Sequence, residues 1–169
     1  MKEGSNIILR KAEVRDVERI LSWENDTQNW LVSNTVTPFT SEQIQDFIEN
    51  GMDIYESGQL RFVIEIQNEE IVGCVDLFDF DPKNGRVGIG VLVDEKHRGK
   101  GIAKEALRTT IEYCFDTLEV RCIHAEVLEN NLASRSVFET CGFTVSGVKK
   151  EWLWDGQSYL NQVFYQRFK

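Results

Sequence analysis

Between an apolar run that ends at Val93 and a helical pattern that begins at Ile102 stands Arg98-Gly99-Lys100-Gly101-Ile102-Ala103. The chemistry open to such a hexapeptide is anion binding. Glycine lets an anion approach the main chain, and the N–H groups of a starting helix point toward it. Arg98, Lys100 and Lys104 add positive charge at the same place. That charge is local, because the chain carries 28 acidic and 19 basic side chains and a net charge of -9. Taken alone, the hexapeptide could also be a tight basic turn into a helix. A P-loop requires Ser or Thr after Gly-Lys, and Gly101 stands there. A dinucleotide fingerprint started at Gly99 would place Lys104 where a small residue belongs, after elements that read as antiparallel hairpins. The phosphate ligand is of another kind.

A second group of residues lies downstream, Asn131-Leu132-Ala133-Ser134 followed by Cys141-Gly142-Phe143. Two glycines, Gly88 and Gly90, interrupt an apolar strand pattern upstream. Glycine inside a strand marks a bulge or a close backbone approach, which predicts a strand distorted away from a neighbour and main-chain groups free for an extended ligand. A structural bulge without a ligand is the alternative. Metal chemistry is poorly supported. Cys74, Cys114, Cys122 and Cys141 have no C-x-x-C spacing and only His97 and His124 to help them, so buried reduced thiols are expected.

These residues need a scaffold. Asn6 to Lys11 predicts a strand, and Val14, Val17, Ile20, Leu21 and Trp23 recur at helical spacing between Glu13 and Glu24. A polar loop is expected through Thr37, then a helix from Ser41 behind Thr40, with Gly58 closing that region. From Leu60 the period becomes two. Leu60 to Ile66 and Ile71 to Phe80 predict a hairpin turning at Asn68 to Glu70, and Arg86 to Val93 a third antiparallel strand after Asp81 to Gly85. Ile102, Ala106, Leu107, Ile111, Cys114, Phe115 and Leu118 form one helical stripe. Cys122 to Leu128 reads as a strand, Asn131 to Cys141 as a helix ended by Gly142, and Val145 to Trp154 with Ser158 to Phe168 as a closing pair turning at Asp155-Gly156. The fold class is α/β, a mostly antiparallel twisted sheet of about seven strands with about four helices on both faces.

With 169 residues, 41% of them hydrophobic, and no linker or repeat, one domain over 1–169 is expected. The acidic balance, pI near 4.8, argues against nucleic acid and anionic membrane as partners and suits a cationic one. Met1 to Lys11 holds only the short apolar stretch Ile7 to Leu9, so a cytoplasmic protein without a secretory leader or span is expected.

On these motifs the sequence resembles the GNAT N-acetyltransferase superfamily. Arg98, Gly101 and Ala103 match its acetyl-CoA loop, and Asn131 with Cys141-Gly142-Phe143 its second motif. The run Gly99 to Leu107 is similar to that of ribosomal-protein N-terminal acetyltransferases and spermidine acetyltransferases. The resemblance spans essentially the whole chain. It implies that acetyl-CoA is a co-substrate whose pyrophosphate lies on Gly99, Lys100, Gly101, Ile102, Ala103 and Lys104 behind Arg98. It further implies that main-chain groups of Val91 and Val93 pair with the pantetheine arm, and that Asn131 hydrogen-bonds it.

Acetyl transfer requires a neutral amine, and an alkylamine of pKa near ~10.4 costs about 4.6 kcal/mol to deprotonate at pH 7. A proton acceptor is therefore expected, and a donor for the departing thiolate. Many relatives carry a tyrosine seven positions after the motif asparagine, but Phe138 stands there and reads as core. The ribosomal-protein subgroup carries serine where this chain has Ser134, whose hydroxyl could serve the thiolate; helix packing is the alternative. Tyr159 is a fallback, or an ordinary strand tyrosine. The usual base, a glutamate two positions before Gly90, is replaced by Gly88. Asp76, Asp79 and Glu24 are substitutes by location, Asp76 foremost, though each could be a solvated charge. A protein N-terminus, with pKa near ~7.7 to 8.0, would need less help. Trp23, Trp30, Trp152 and Trp154 could hold an ammonium group, or be core, or form a contact between copies of the chain in a homo-oligomer. The expected function is acetyl transfer from acetyl-CoA to a primary amine, polyamine-like or a protein N-terminus, by direct attack in a ternary complex. The alternative is a non-catalytic acyl-CoA-binding module of the same fold.

Overall fold

The computed structural model describes residues 7–33, 35–66 and 70–169, so Asn6, Asn68 and Glu69 of the expected first strand and hairpin turn lie outside the described residues. Among the described residues seven strands form one sheet: β1 Ile7–Lys11, β2 Leu60–Ile66, β3 Glu70–Asp81, β4 Arg86–Val93, β5 Cys122–Leu128, β6 Thr144–Trp154 and β7 Tyr159–Phe168. Their order is β1-β2-β3-β4-β5-β7-β6. Among the described residues five α-helices accompany them: α1 Val17–Glu24, α2 Thr27–Ser33, α3 Ser41–Asn50, α4 Ile102–Asp116 and α5 Leu132–Thr140.

Three helical expectations are corrected, one of them the region closed by Gly58, where the helix ends at Asn50 behind the Gly51 cap and residues 54–57 form a turn. The helix expected from Glu13 begins instead with a 3-10 turn, Val14–Asp16, because the Asp16 carboxylate turns inward to accept from Arg10 (2.7 and 2.9 Å) and from the Glu13 main-chain N–H (2.8 Å). The polar loop expected through Thr37 contains α2. Its apolar residues are adjacent rather than spaced, so no helical period shows. The segment is held by caps and by α1: Asp26 accepts from the Gln28 N–H, Asn29 Nδ2 donates to the Trp23 carbonyl, and Trp30 Nε1 donates to the Glu24 carbonyl at 2.8 Å. Elsewhere local chemistry decides. Thr40 and Gln43 form a reciprocal capping box at the start of α3. Gly142, at φ +85°, ends α5 in a Schellman turn with Phe143 N–H on the Phe138 carbonyl and Gly142 N–H on that of Glu139.

The sheet's one parallel contact, β4 with β5, is short: Arg86 with Cys122, Val87 with Ile123, Gly88 with His124. Past Gly88 the two strands part, and β4 keeps β3 alone as a partner. The distortion expected from Gly88 and Gly90 is therefore a separation from β5. Pairing with β3 stays in register from Gly73 to Phe78, and the bulge on that side falls between Phe78 and Asp81, where Asp79 adopts φ +50°.

Strand alternation divides the sheet into two faces. Phe62 meets Tyr113 of α4 (ring centroids 5.3 Å) and Tyr165 stacks on Phe138 of α5, so these helices cover one face. The core there is Val75, Leu77, Val87, Ile89 and Ile123 under Ala106, Leu107 and Ile111. Arg61, Asp76, Phe78 and His124 stand on the other face, where Glu24 of α1 and Phe47 of α3 reach Arg61. All four cysteines are buried and free, and burial pushes the Cys114 thiol up to about 12. Among the described residues no helix is long and apolar enough to cross a membrane.

Candidate active site

After β4 the chain makes a 3-10 turn, Glu95–His97, and Arg98 folds back to donate from Nε to the Val93 carbonyl at 2.9 Å. Arg98 thus organises the loop. Gly99 and Gly101 follow at φ +74° and +80°, the left-handed region that favours glycine. A Cβ at either would meet nothing within 4 Å, so both face open space. Gly101 caps α4 with no side-chain hydrogen bond, leaving the first N–H groups of a fifteen-residue helix without an internal acceptor. Lys100 and Lys104 stand at this positive helix end, an unfavourable place for a cation unless an anion joins it. The backbone, the open side and the misplaced lysines all fit a pyrophosphate. Ile102 is buried, so only its main chain can take part.

Val91 lies opposite Val75, and Val93 opposite Gly73, with no strand on their other edge. The Val93 carbonyl already accepts from Arg98. Asn131 is the N-cap of α5: Oδ1 accepts from the Ser134 N–H at 3.1 Å, leaving Nδ2 as a donor without a partner among the described residues. At Gly88 the close approach is internal, since a Cβ would stand 2.3 Å from the Phe78 ring. Phe78 covers the place of the missing strand glutamate.

Ser134, the third residue of α5, is half-buried, and its hydroxyl makes no hydrogen bond among the described residues. Phe138 is buried between Phe143 and Tyr165. Tyr159 lies at the β6–β7 hairpin, 62% exposed and packed on Trp154. Asp76 stands opposite Gly90 on the strand beside the opening. Both its oxygens accept from Arg61, at 2.5 and 3.0 Å, while Arg61 Nη1 reaches Glu24 at 2.6 Å. Two of the four expected catalytic residues, Asp76 and Glu24, are therefore joined through one guanidinium that is 13% exposed, and the trio carries a net charge of -1. Ser134 and Tyr159 stay on separate elements, and Asp79 is exposed on the bulge. Of the tryptophans, Trp23 is buried, Trp30 is tied to the Glu24 carbonyl, and Trp152 and Trp154 are exposed.

Two residues of the open face carried no sequence signal. Arg61 reads as an outward position of an alternating strand, and its partners are 37 and 15 residues away. His124 reads as one polar residue in an apolar run. Its ring packs edge-on to Phe78 (5.9 Å) and stacks on Phe164 (5.6 Å), at the last β4–β5 pair.

The model of the acetyltransferase (GNAT) domain family matches residues 6–144, and the chain belongs to that family. It is an acetyl-CoA-dependent N-acetyltransferase. The uncharacterized N-acetyltransferase p20 of Bacillus licheniformis is 31% identical over 149 residues, 86% of this chain and 83% of that protein. The ribosomal-protein-serine acetyltransferase of Escherichia coli K12 is 23% identical over 132 residues, 77% of this chain and 70% of that protein. The crystal structure of the spermidine N-acetyltransferase from Vibrio cholerae in complex with CoA and spermine superimposes with a TM-score of 0.89 at 20% identity, over 98% of this chain and 96% of that one.

Proposed function

We propose that this enzyme acetylates a primary amine that arrives as a cation, by direct attack on acetyl-CoA in a ternary complex. The observation that carries this reading is the Glu24–Arg61–Asp76 cluster. It places an uncompensated negative charge on the open face, opposite Gly90, where β4 has left β5. An ammonium group is attracted there. Because both Asp76 oxygens are held by Arg61, the carboxylate is better suited to attracting the amine than to taking its proton. Relatives named for spermidine and for a ribosomal-protein serine support a polyamine-like or N-terminal amine as the class of acceptor.

In this reading the N–H groups of Gly99 to Lys104 hold the pyrophosphate, helped by the side chains of Lys100 and Lys104. The open edge of β4 at Val91 and Val93 and the Nδ2 of Asn131 hold the pantetheine amides. Ser134 donates a hydrogen bond from its hydroxyl to the sulfur as the thiolate departs.

Release of free CoA thiol, measured with spermidine, lysine, an Ala- or Ser-initiated peptide, an aminoglycoside and a neutral amine, tests the proposal. Cationic acceptors should be preferred, and their kcat/KM should fall as salt rises, since exposed charge is screened over about 8 Å at physiological ionic strength. Cofactor binding on backbone amides should respond less. A best acceptor that is neutral or anionic would sink the proposal.

A further inference from the structure

Arg61 is committed to two carboxylates and the strand glutamate is missing, so the proton of the acceptor amine needs another destination. On the open face of the sheet, past the cluster, stands His124. Gly88 and His124 are the last residues that β4 and β5 pair, so the imidazole lies where the opening closes. Followed from Gly101 through Val93 and Val91, the unpaired edge of β4 runs into this point. Asp76 precedes Phe78 by two residues on the same face, about 7 Å along the strand, and Phe78 contacts the His124 ring.

We infer that His124 is the proton acceptor of the transfer reaction, a role that rests on the amine-acetylating reading above. Phe78 and Phe164 clamp the ring from two sides and fix its position. Nδ1 is buried with no hydrogen-bond partner, a costly arrangement for a ring that served packing alone. Among the described residues Nε2 is neither fully buried nor hydrogen-bonded, so it keeps a lone pair that can take a proton. The charged groups around the ring are Asp79 of β3 and Glu126 of β5, which favour its cation, and Arg86 of β4 and Lys149 of β6, which oppose it; the neutral Gln166 lies opposite on β7. Burial outweighs them and holds the pKa below the usual histidine value, so the ring is neutral and ready to accept at pH 7.

The step balances without a further reactant. The ammonium gives one proton to His124 Nε2, which passes it to water. The nitrogen lone pair then forms the C–N bond to the acetyl carbon, and its second proton goes to Nε2. The C–S bond breaks, sulfur keeps that electron pair, and it recovers the proton from the imidazolium. The products are the amide and the thiol.

His124→Phe keeps an aromatic ring between Phe78 and Phe164 and removes both nitrogens. Turnover should fall roughly 10²- to 10⁴-fold, the range of one positioned proton acceptor, while CoA affinity by calorimetry stays within about twofold. In the wild type kcat/KM should fall with decreasing pH, because the protonated ring cannot accept, with the midpoint below ~6.5. This acid limb should vanish in the variant. His124→Gly, with the stack opened, should regain turnover when free imidazole is added. Wild-type turnover and an unchanged acid limb in His124→Phe would overturn the assignment while leaving the amine reading intact. If the Phe variant fails to fold, the His124→Gly protein decides, and absence of imidazole rescue there counts against the proposal. Should the wild type release no thiol with any amine, the amine reading falls and His124 with it.

Discussion

Replacing Gly101 by aspartate probes the cofactor loop, and its effect separates into a backbone part and a charge part. The residue sits at φ +80°, where a side chain is strained by about 1–2 kcal/mol, less for Asn and Asp, which tolerate this region best. A Cβ there touches nothing within 4 Å, so no clash adds to that cost. Gly101→Asn and Gly101→Asp should therefore both fold, each about 1 kcal/mol less stable, which lowers Tm by about 2–4 °C in a domain of this size. The two variants differ by one charge at the helix end. A carboxylate about 5 Å from one phosphate charge repels it by about 0.8 kcal/mol at the dielectric of water and about 3 kcal/mol at an effective constant of 20. Titration calorimetry with CoA should then show the Asp variant about 4- to 150-fold weaker than the Asn variant. Equal affinity of the two, with Tm values matched, would mean that the pyrophosphate lies elsewhere and would remove the basis of the cofactor assignment.

Ser134→Ala should lower turnover roughly tenfold to a thousandfold with CoA affinity kept, as for one positioned donor, and Tyr159→Phe should leave it unchanged. Phe138→Tyr should cost stability, about 1–3 kcal/mol for a hydroxyl forced among Phe143 and Tyr165, without lowering turnover; full activity in Ser134→Ala with loss in Tyr159→Phe would move the donor role to Tyr159. Burial pushes the Asp16 carboxyl up, but the hydrogen bonds from Arg10 and the Glu13 N–H outweigh it and hold it below the usual carboxylate range. Its stabilisation is thus present above the unfolded value of ~3.9 and lost as pH falls through the folded one. Asp16→Asn, at a buried position beside an Arg10 that keeps Glu65, should cost about 1–3 kcal/mol at pH 7 in urea unfolding, and the gap to wild type should narrow as pH falls below ~3.9.

The boundaries of β2, β4 and β5 follow from their local pattern, because alternation and apolar runs are properties of consecutive residues. Caps behave in the same way: Thr40 with Gln43, and Gly142 with Phe143, act within one turn of chain. Where an element answers to a side-chain partner outside its own turn of chain the sequence misleads. Asp16 looked like the interior of a helix, and its pairing with Arg10 across the β1–α1 connection made it a 3-10 turn. The short α2 had no period to read and depends on hydrogen bonds to α1.

The loop from Arg98 to Lys104 was legible in the sequence as a candidate anion site, since two glycines, a helix start and basic side chains fall within seven residues. The sheet's strands and the second motif were equally local. Only the tertiary structure brought together the charged and aromatic residues of the open face. Glu24, Arg61 and Asp76 come from α1, β2 and β3, and one guanidinium that satisfies two carboxylates exists only once those elements pack. His124 gains its position from a parallel pairing of three residues and its lowered pKa from burial, neither of which is a property of the residues beside it in the chain.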